Sequence, residues 1–162
     1  MKKPLLIFDL DDTLYDTSMR IDENTPNFAE MKLYPDAKNF LESSSSEKIL
    51  VTYGDVTTQE KKIETLGIRD YFSEIYICRE RQEKLDCFKK ILGKYKIENL
   101  KAILVIGDRI DSEIKYGNIL GMTTVLLWRG KYKELKPKDE NEIPDFKVQD
   151  FEELLKLLAG GR

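Results

Sequence analysis

The sequence predicts an α/β fold of three layers, in which a central parallel sheet carries helices on both faces. Short apolar runs alternate with amphipathic segments along the 162 residues, as expected when strands alternate with helices. Almost every run is continuously apolar, which is typical of strands buried on both faces of a parallel sheet. Several runs end directly in polar or acidic residues, which such a sheet would gather at one edge.

The predicted strands are the apolar runs themselves. They cover residues 5–8, 48–53, 74–78, 101–106 and 123–127, with a short edge strand at 145–148. Helices are predicted between them from hydrophobic spacing, at residues 35–42, 59–66, 80–95, 111–120 and 151–158. Thr57 or Thr58 can cap the second helix, and Gly67 ends it.

The length predicts a single domain over residues 1–159, followed by a short tail at 160–162. The polar segment 16–33 has two interpretations, a small flap over the site or a plain connecting loop. The lysine-rich segment 128–141 is interpreted as a solvated loop.

Composition excludes several kinds of chemistry. The chain has no histidine, so acid–base catalysis must use carboxylate, lysine, tyrosine or cysteine. A metal would be a hard ion with oxygen ligands, and Mg²⁺ is the leading candidate. The net charge of −3 comes from well-mixed charges, which gives no sign of a nucleic-acid or membrane partner.

The cysteines and the N-terminus lead us to expect a cytoplasmic protein. Cys78 and Cys87 have neither metal-site nor redox-motif spacing, so we expect reduced structural thiols. No apolar run approaches the roughly 20 residues that span a bilayer. The run that follows the basic residues 1–3 stops at Asp9, too early for a signal peptide.

Two carboxylates follow the first strand, two positions apart. Asp9 and Asp11 would face one site in extended chain, where they repel each other unless a cation or a shared proton offsets them. One interpretation is a polar turn, where Asp is common. The other is a reaction on a phosphate ester, with Asp9 as the nucleophile and Asp11 as the acid and then the base. Asp108 follows the fourth strand and would join Asp9 in binding Mg²⁺.

Three further residues complete the hypothesis. Thr52, at the end of the second strand, and the backbone amide of Tyr53 would bind phosphoryl oxygens. Lys84 would neutralise negative charge on the nucleophile and the phosphate. Taken alone, Thr52 is also an ordinary strand residue, and Lys84 lies in a charge run typical of a solvated helix face. Asp111 and Glu113 follow Asp108 as further metal candidates.

With these residues in place, the chain resembles the haloacid dehalogenase (HAD) superfamily, specifically its Mg²⁺-dependent phosphatases. The first motif is Phe8-Asp9-Leu10-Asp11-Asp12-Thr13-Leu14, and the fourth is Ile106-Gly107-Asp108-Arg109-Ile110-Asp111-Ser112-Glu113-Ile114. Thr52 and Lys84 match the second and third. The resemblance implies a three-layer, Rossmann-like (HAD-like) fold, the aspartyl-phosphate mechanism, and contact of the Asp11 backbone carbonyl with the metal.

The chain departs from the family pattern in three places. Glu113 stands where Asp is usual and Asp111 is an additional candidate, so the residue that completes the metal site stays open. Tyr53-Gly54-Asp55 replaces the commoner Asn-Gly after the second motif. No full cap domain is present, because only the segment 16–33 is available. Relatives without a cap act on large substrates or borrow a neighbouring subunit as a lid, which predicts a macromolecular substrate or a homo-oligomer.

Three other functions compete with the phosphatase. A receiver-type phospho-switch needs an acceptor Asp after the third strand, where this chain has Cys78-Arg79-Glu80. A catalytically silent binding module should have lost a catalytic residue, whereas all four motif positions are present. Halide displacement needs neither an acid at Asp11 nor a metal at Asp108. We therefore predict a Mg²⁺-dependent phosphoric monoester hydrolase whose substrate the sequence does not name, with a phospho-switch or silent module as the alternative.

Overall fold

A computed structural model describes residues 2–160, so part of the expected tail, residues 161–162, lies outside the described residues. The strands are β1 (Leu5–Phe8), β2 (Lys48–Tyr53), β3 (Glu74–Cys78), β4 (Ile103–Gly107), β5 (Thr123–Leu127) and β6 (Phe146–Val148). The helices are α1 (Pro35–Ser43), α2 (Val56–Leu66), α3 (Glu83–Tyr95), α4 (Lys115–Ile119) and α5 (Phe151–Ala159). All strands are parallel, in the order β3-β2-β1-β4-β5-β6. The predicted α/β fold is confirmed.

The sheet has a hydrophobic core on each face because successive side chains of a strand point to opposite sides. On one face the ring of Phe8 lies 5.9 Å from Phe40 of α1 and 6.1 Å from Phe151 of α5. On the other face Ile7 shares a cluster with Phe88 and Ile91 of α3. The three predicted layers are therefore present, with the sheet packed between helices on its two faces.

Several element boundaries differ from the sequence prediction for local reasons. Helix α2 begins at Val56, three residues early, because the side chain of Asp55, rather than Thr57 or Thr58, caps it by accepting from the Thr58 N–H at 2.8 Å. Gly67 ends that helix as predicted, with φ 63°. Helix α3 begins at Glu83 rather than at residue 80, and the Glu83 carboxylate accepts from the N–H of Arg79 in the preceding turn.

Two further predicted elements are shorter or less regular than expected. Residues 100–102 form a 3₁₀ turn, so β4 starts at Ile103. The predicted helix 111–120 begins as a π-helical turn, Ile110–Ile114, and continues as α4. Single π-helical turns often occur at functional sites, and this one forms the second half of the fourth motif.

The segment 16–33 folds back on itself beside the carboxyl edge of the sheet. An antiparallel bridge joins Tyr15, just before the segment, to Leu33 at its end, and a second bridge joins Arg20 to Pro26.

Within residues 2–160, no helix has the length and apolar character needed to cross a membrane.

Candidate active site

The site lies where the chain reverses its direction of travel across the sheet. Strand β1 has β2 on one side and β4 on the other, and ligands of open parallel sheets bind at such switch points, outside the carboxyl ends of the strands. Asp9 follows β1 and Asp108 follows β4, and the N–H of Asp9 donates to the carbonyl of Ile106 at 3.1 Å. A pocket of about 150 Å³ opens above them.

Three buried carboxylates form the bottom of this pocket, and we call Asp9, Asp108 and Glu113 the acidic floor. Carboxylate oxygens from all three lie within 4.8 Å of one another. Glu113 reaches the floor from the π-helical turn across Gly107, where an added Cβ would lie 2.5 Å from the Glu113 Cγ. Gly107 is therefore required for the close approach of the third carboxylate.

One lysine bridges two members of the acidic floor. The ammonium of Lys84 donates to Asp9 Oδ1 at 2.8 Å and to the carboxylate of Glu113. Lys84 is only 3% exposed, so the ion pairs lie away from solvent. Burial acts to lower the pKa of this ammonium, but the two carboxylates raise it above its ordinary value. The hydroxyl of Thr13 lies between the carboxylates of Asp9 and Asp108, 3.5 Å from Asp9 and 3.4 Å from Asp108.

A single lysine does not offset three buried carboxylates. Burial and the charge of Glu113 raise the pKa of Asp9 to about 7, despite Lys84. Burial and the charge of Asp9 raise the pKa of Asp108 to about 10. The Glu113 Oε2 atom is buried without a hydrogen-bond partner among the described residues. Closely spaced carboxylate oxygens with uncompensated charge fit a hard divalent cation such as Mg²⁺.

Asp11 lies in a different environment from Asp9. Its carboxylate accepts hydrogen bonds from the Tyr15 hydroxyl, from Gln59 Nε2 at 3.1 Å and from Lys62 Nζ at 2.7 Å. We call these four residues the Asp11 network. Burial acts to raise the pKa of Asp11, but the ion pair with Lys62 and the hydrogen bonds lower it below its ordinary value. Asp11 is therefore ionised near neutral pH.

The conformation of the turn that follows Asp11 depends on Asp12. Asp12 has a positive φ of 58°, a region that Asp enters more readily than most residues. Its carboxylate accepts from the N–H and the hydroxyl of Thr17 at 2.9 and 2.8 Å. A Cβ at Gly130 would lie 2.5 Å from the Asp12 Cβ, so the segment after β5 packs directly on this turn.

The remaining residues predicted from the sequence are Thr52, Tyr53 and Asp111, and they lie outside the acidic floor. Thr52 is completely buried, and its hydroxyl accepts from Gln59 at 2.7 Å. Tyr53 lines the pocket and is 40% exposed. Asp111 does not join the floor, because the guanidinium of Arg109 holds it in a two-point pair at 2.9 and 2.8 Å.

Sequence reasoning did not identify Gln59 and Lys62. They lie three residues apart on α2, so they share one helix face, and both are buried. Their spacing was the only available signal, because a polar pair on a helix usually faces solvent. Only the tertiary structure shows that this face meets Asp11 and Thr52.

Cations and aromatic rings line the upper part of the pocket, and this rim was also not predicted. The guanidinium of Arg109 lies 3.8 Å from the ring centre of Tyr132, and that of Arg81 lies 5.4 Å from Tyr53. Lys131 lines the pocket beside Tyr132. The segment 128–141, predicted to be a solvated loop, is largely exposed but delivers both residues to the rim.

The segment 16–33 contributes to a second cavity next to the first. This cavity, about 350 Å³, lies between that segment and the start of α2. The two cavities share Asp11, Thr17, Arg20, Tyr53 and Lys62. The segment thus lies beside the site, on the side of Asp11.

In sequence, the chain is similar to known hydrolases and phosphatases. Residues 84–154 match the family model described as HAD-hydrolase-like. The chain is 31% identical over 137 residues to a glyceraldehyde 3-phosphate phosphatase of Methanopyrus kandleri, covering 81% of this chain and 58% of that protein. It is 30% identical over 112 residues to the protein of that name from Methanocaldococcus jannaschii, covering 67% of this chain and 47% of that one. The chain thus spans about half the length of these relatives.

Solved structures share the whole fold. YfnB of Bacillus subtilis, in a magnesium-bound form, superposes with a TM-score of 0.76 at 17% identity, covering 98% of this chain and 99% of that one. A "predicted phosphoglycolate phosphatase" of Haemophilus somnus gives 0.76 at 20% identity, covering 97% and 98%. A 2-haloacid dehalogenase of Pseudomonas syringae gives 0.71 at 17%, covering 100% of both. These superpositions show the fold. The family model and the similarity to the phosphatases show that the chain belongs to the haloacid dehalogenase superfamily.

Proposed function

We propose that the protein is a Mg²⁺-dependent phosphoric monoester hydrolase that acts through an aspartyl phosphate on Asp9. The observation that carries the proposal is the position of Asp9 at the switch point of the sheet. There it is ion-paired with buried Lys84 and lies within the acidic floor. The curated relatives named as phosphatases support the same class of reaction.

The acidic floor supplies the metal ligands in this proposal. Asp9 and Asp108, with the backbone carbonyl of Asp11, would hold Mg²⁺, and Glu113 would position its water ligands. When bound, the ion would offset the repulsion among the carboxylates and withdraw charge from the phosphoryl oxygens. Glu113 is the better candidate for this role than Asp111, because the carboxylate of Asp111 is already paired with Arg109.

The chemical steps are carried by the two aspartates of the first motif. Lys84 holds the Asp9 carboxylate in place while an oxygen of that group attacks phosphorus and the ester P–O bond breaks. The departing oxygen takes a proton from Asp11. In the second half, ionised Asp11 accepts a proton from a water molecule that attacks the phosphorus, which releases phosphate and restores Asp9.

Asp11 needs different protonation states in the two halves of the reaction. The ionised state favoured by Lys62 suits the second half directly. In the first half Asp11 must carry a proton, and a phosphoryl dianion beside it would raise its pKa by like-charge repulsion. The Asp11 network holds the carboxylate in one orientation throughout, because three donors fix its two oxygens.

Thr52 and Tyr53 would bind the transferring group. The hydroxyl oxygen of Thr52 accepts from Gln59, and a hydroxyl can donate while it accepts. Its proton is therefore left for a phosphoryl oxygen, together with the backbone amide of Tyr53. Such donors stabilise the charge that develops on phosphoryl oxygens in the transition state.

The substrate is proposed to be a small phosphate ester, since the pocket of about 150 Å³ has room for a phosphoryl group and a few further atoms. A macromolecular ester, or a homo-oligomer in which a second copy closes the site, remains the alternative that follows from the short segment 16–33. A cytoplasmic location also remains a proposal.

The test is hydrolysis of a panel that contains glyceraldehyde 3-phosphate, phosphoglycolate and glycerol phosphate, with Mg²⁺ and with a chelator. We expect phosphate release that needs Mg²⁺ and that Asp9→Asn abolishes, because an amide cannot form the aspartyl phosphate. Asp16→Asn is the matched control, because the exposed Asp16 lies outside the pocket, and it should keep wild-type activity. Retained turnover in Asp9→Asn would contradict the nucleophile assignment.

If no ester is hydrolysed although Mg²⁺ binds, the phosphatase proposal for small substrates fails. Mass spectrometry after incubation with acetyl phosphate then separates the alternatives. A stable aspartyl phosphate on Asp9 would indicate a phospho-switch, and an unmodified chain a silent binding module.

A further inference from the structure

The two cysteines of the chain lie in contact although no redox motif joins them in the sequence. Cys78 is the last residue of β3 and Cys87 lies near the start of α3. Their Sγ atoms are 3.2 Å apart and both thiols are free. Neither cysteine lines the pocket or takes part in the proposed reaction, so the contact has no role in the chemistry described above.

The two thiols differ in access and in acidity. Cys78 is buried, whereas Cys87 is partly exposed. The hydrogen bond from Cys78 lowers the pKa of Cys87 to about 7, and the same contact raises the pKa of Cys78 above its ordinary value. Thiolates are the reactive form of cysteine. Cys87 is therefore the first thiol that an external reagent would meet, and Cys78 is placed to react second.

We propose that Cys78 and Cys87 form a reversible dithiol–disulfide pair that small-molecule disulfides oxidise. The Cys87 thiolate attacks one sulfur of the reagent, which forms a mixed disulfide and releases one reagent thiolate. Cys78 then loses its proton and attacks the Cys87 sulfur, which forms the internal disulfide and releases the second reagent thiolate. The protein loses two electrons and two protons, and the reagent is reduced to two thiols.

The geometry makes this second step a small movement. A disulfide joins sulfurs at about 2.05 Å, so the two Sγ atoms must approach by roughly 1 Å from their present contact. Cys78 is fixed at the end of a strand, where its carbonyl accepts from the N–H of Gly54 at 2.9 Å. Most of the movement must therefore come from Cys87 and the first turns of α3.

The chain segment closed by this disulfide contains two residues of the active site. Lys84 and Arg81 both lie between the cysteines in sequence, and both line the pocket. Strand β3 is the edge strand, with β2 between it and β1. Movement of the first turns of α3 toward Cys78 shifts Lys84 relative to Asp9 and Glu113, with which it is ion-paired, so oxidation should slow turnover. This consequence rests on the proposed phosphatase function, but disulfide formation does not.

The experiment treats the full chain with oxidised glutathione, then alkylates free thiols with iodoacetamide and determines the mass of the intact protein. We expect wild type to lose two hydrogens, to take up no alkyl group and to recover both thiols with dithiothreitol. Cys78→Ala should instead retain one glutathione on Cys87. Cys87→Ser, changed at the partly exposed position, should remain unmodified at Cys78.

Wild type that keeps glutathione on Cys87, or that remains fully alkylatable, would overturn the proposal. Where a substrate has been found, turnover of the oxidised protein should fall by about tenfold, within the range caused by misplacing a catalytic group by 1 Å, and should return on reduction. Cys87→Ser should be insensitive to the same treatment. A disulfide without any change in turnover would overturn the link to Lys84.

Discussion

Asp9 and Asp11 are two residues apart in one motif, yet their surroundings have opposite effects. Asp9 belongs to the acidic floor, where burial and neighbouring carboxylates raise its pKa to about 7. Asp11 belongs to the Asp11 network, where Lys62 and neutral donors lower its pKa against the effect of burial. The spacing of the motif directs both carboxylates to one pocket, but residues from other elements determine the charge of each.

The acidic floor and the Asp11 network also differ in how far they depend on a bound metal. Both carboxylate oxygens of Asp11 accept hydrogen bonds within the protein, from Tyr15, Gln59 and Lys62. The acidic floor has an unpartnered carboxylate oxygen on Glu113 among the described residues. We therefore expect metal binding to change the properties of the floor strongly and those of the Asp11 network only weakly.

Replacing Asp11 tests the network at its centre. Asp11→Asn keeps a similar shape but cannot exchange a proton, so we expect kcat for the phosphate ester to fall at least about 10²-fold, the usual contribution of an acid–base group. KM should change little, because the acidic floor is intact. Tyr15→Phe, which removes only one hydrogen bond to Asp11, should have a smaller effect. An unimpaired kcat in Asp11→Asn would remove this residue from the mechanism.

Glu113 and Asp111 provide a matched test of the acidic floor. Glu113→Gln should weaken Mg²⁺ binding by about 10- to 100-fold, as is typical when a partner of a metal site is lost. Asp111→Asn should leave the affinity nearly unchanged, because Asp111 is paired with Arg109 and lies outside the floor. Isothermal titration calorimetry with Mg²⁺ measures both. Stronger loss in Asp111→Asn than in Glu113→Gln would reverse the assignment.

The acidic floor shows which parts of the fold and of the site the sequence could predict. Asp9, Asp108 and the parallel sheet were predictable, because continuous apolar runs that end in acidic residues specify both the strands and their carboxyl edge. Glu113 and Asp111 could not be separated, since both are acidic residues a short distance after β4. Only the π-helical turn and Gly107 decide that Glu113 enters the floor.

The Asp11 network illustrates a different limit. Gln59 and Lys62 come from α2, 48 and 51 positions from Asp11, and nothing local distinguishes them from solvated residues. The same applies to Tyr132, which lies in a lysine-rich segment but packs against Arg109 at the rim of the pocket. Contacts between distant elements depend on tertiary packing, so the motif residues were predictable and their partners were not.

Stability without metal should depend on pH through the acidic floor. The pKa values of Asp9 and Asp108, about 7 and about 10, lie above the ordinary value of 3.8, so the folded protein binds these protons more tightly than the unfolded chain. The stability they confer is present below the unfolded pKa and is lost as pH rises through the folded values. Thermal unfolding in chelator should therefore show a Tm that falls by several degrees between pH 5 and pH 9.

Two comparisons make this prediction specific to the floor. Mg²⁺ should raise Tm more at pH 9 than at pH 5, because a metal binds the deprotonated carboxylates. Asp108→Asn should flatten the dependence measured in chelator and should reduce the effect of Mg²⁺. A Tm in chelator that rises over this pH range, in wild type but not in Asp108→Asn, would contradict the assigned direction of the Asp108 shift.

The smallest expected effect comes from the partner of Asp11 rather than from Asp11 itself. Lys62→Met removes the cation that lowers the pKa of Asp11, so Asp11 should take up its proton at higher pH. The fall of kcat on the acid side, where Asp11 can no longer act as the base for water, should then move to higher pH. Lys61→Met, the same change at the adjacent exposed position, controls for the loss of one positive charge. If both variants shift the profile equally, the effect belongs to the overall charge of α2, and the contact between Lys62 and Asp11 does not set the protonation of the base.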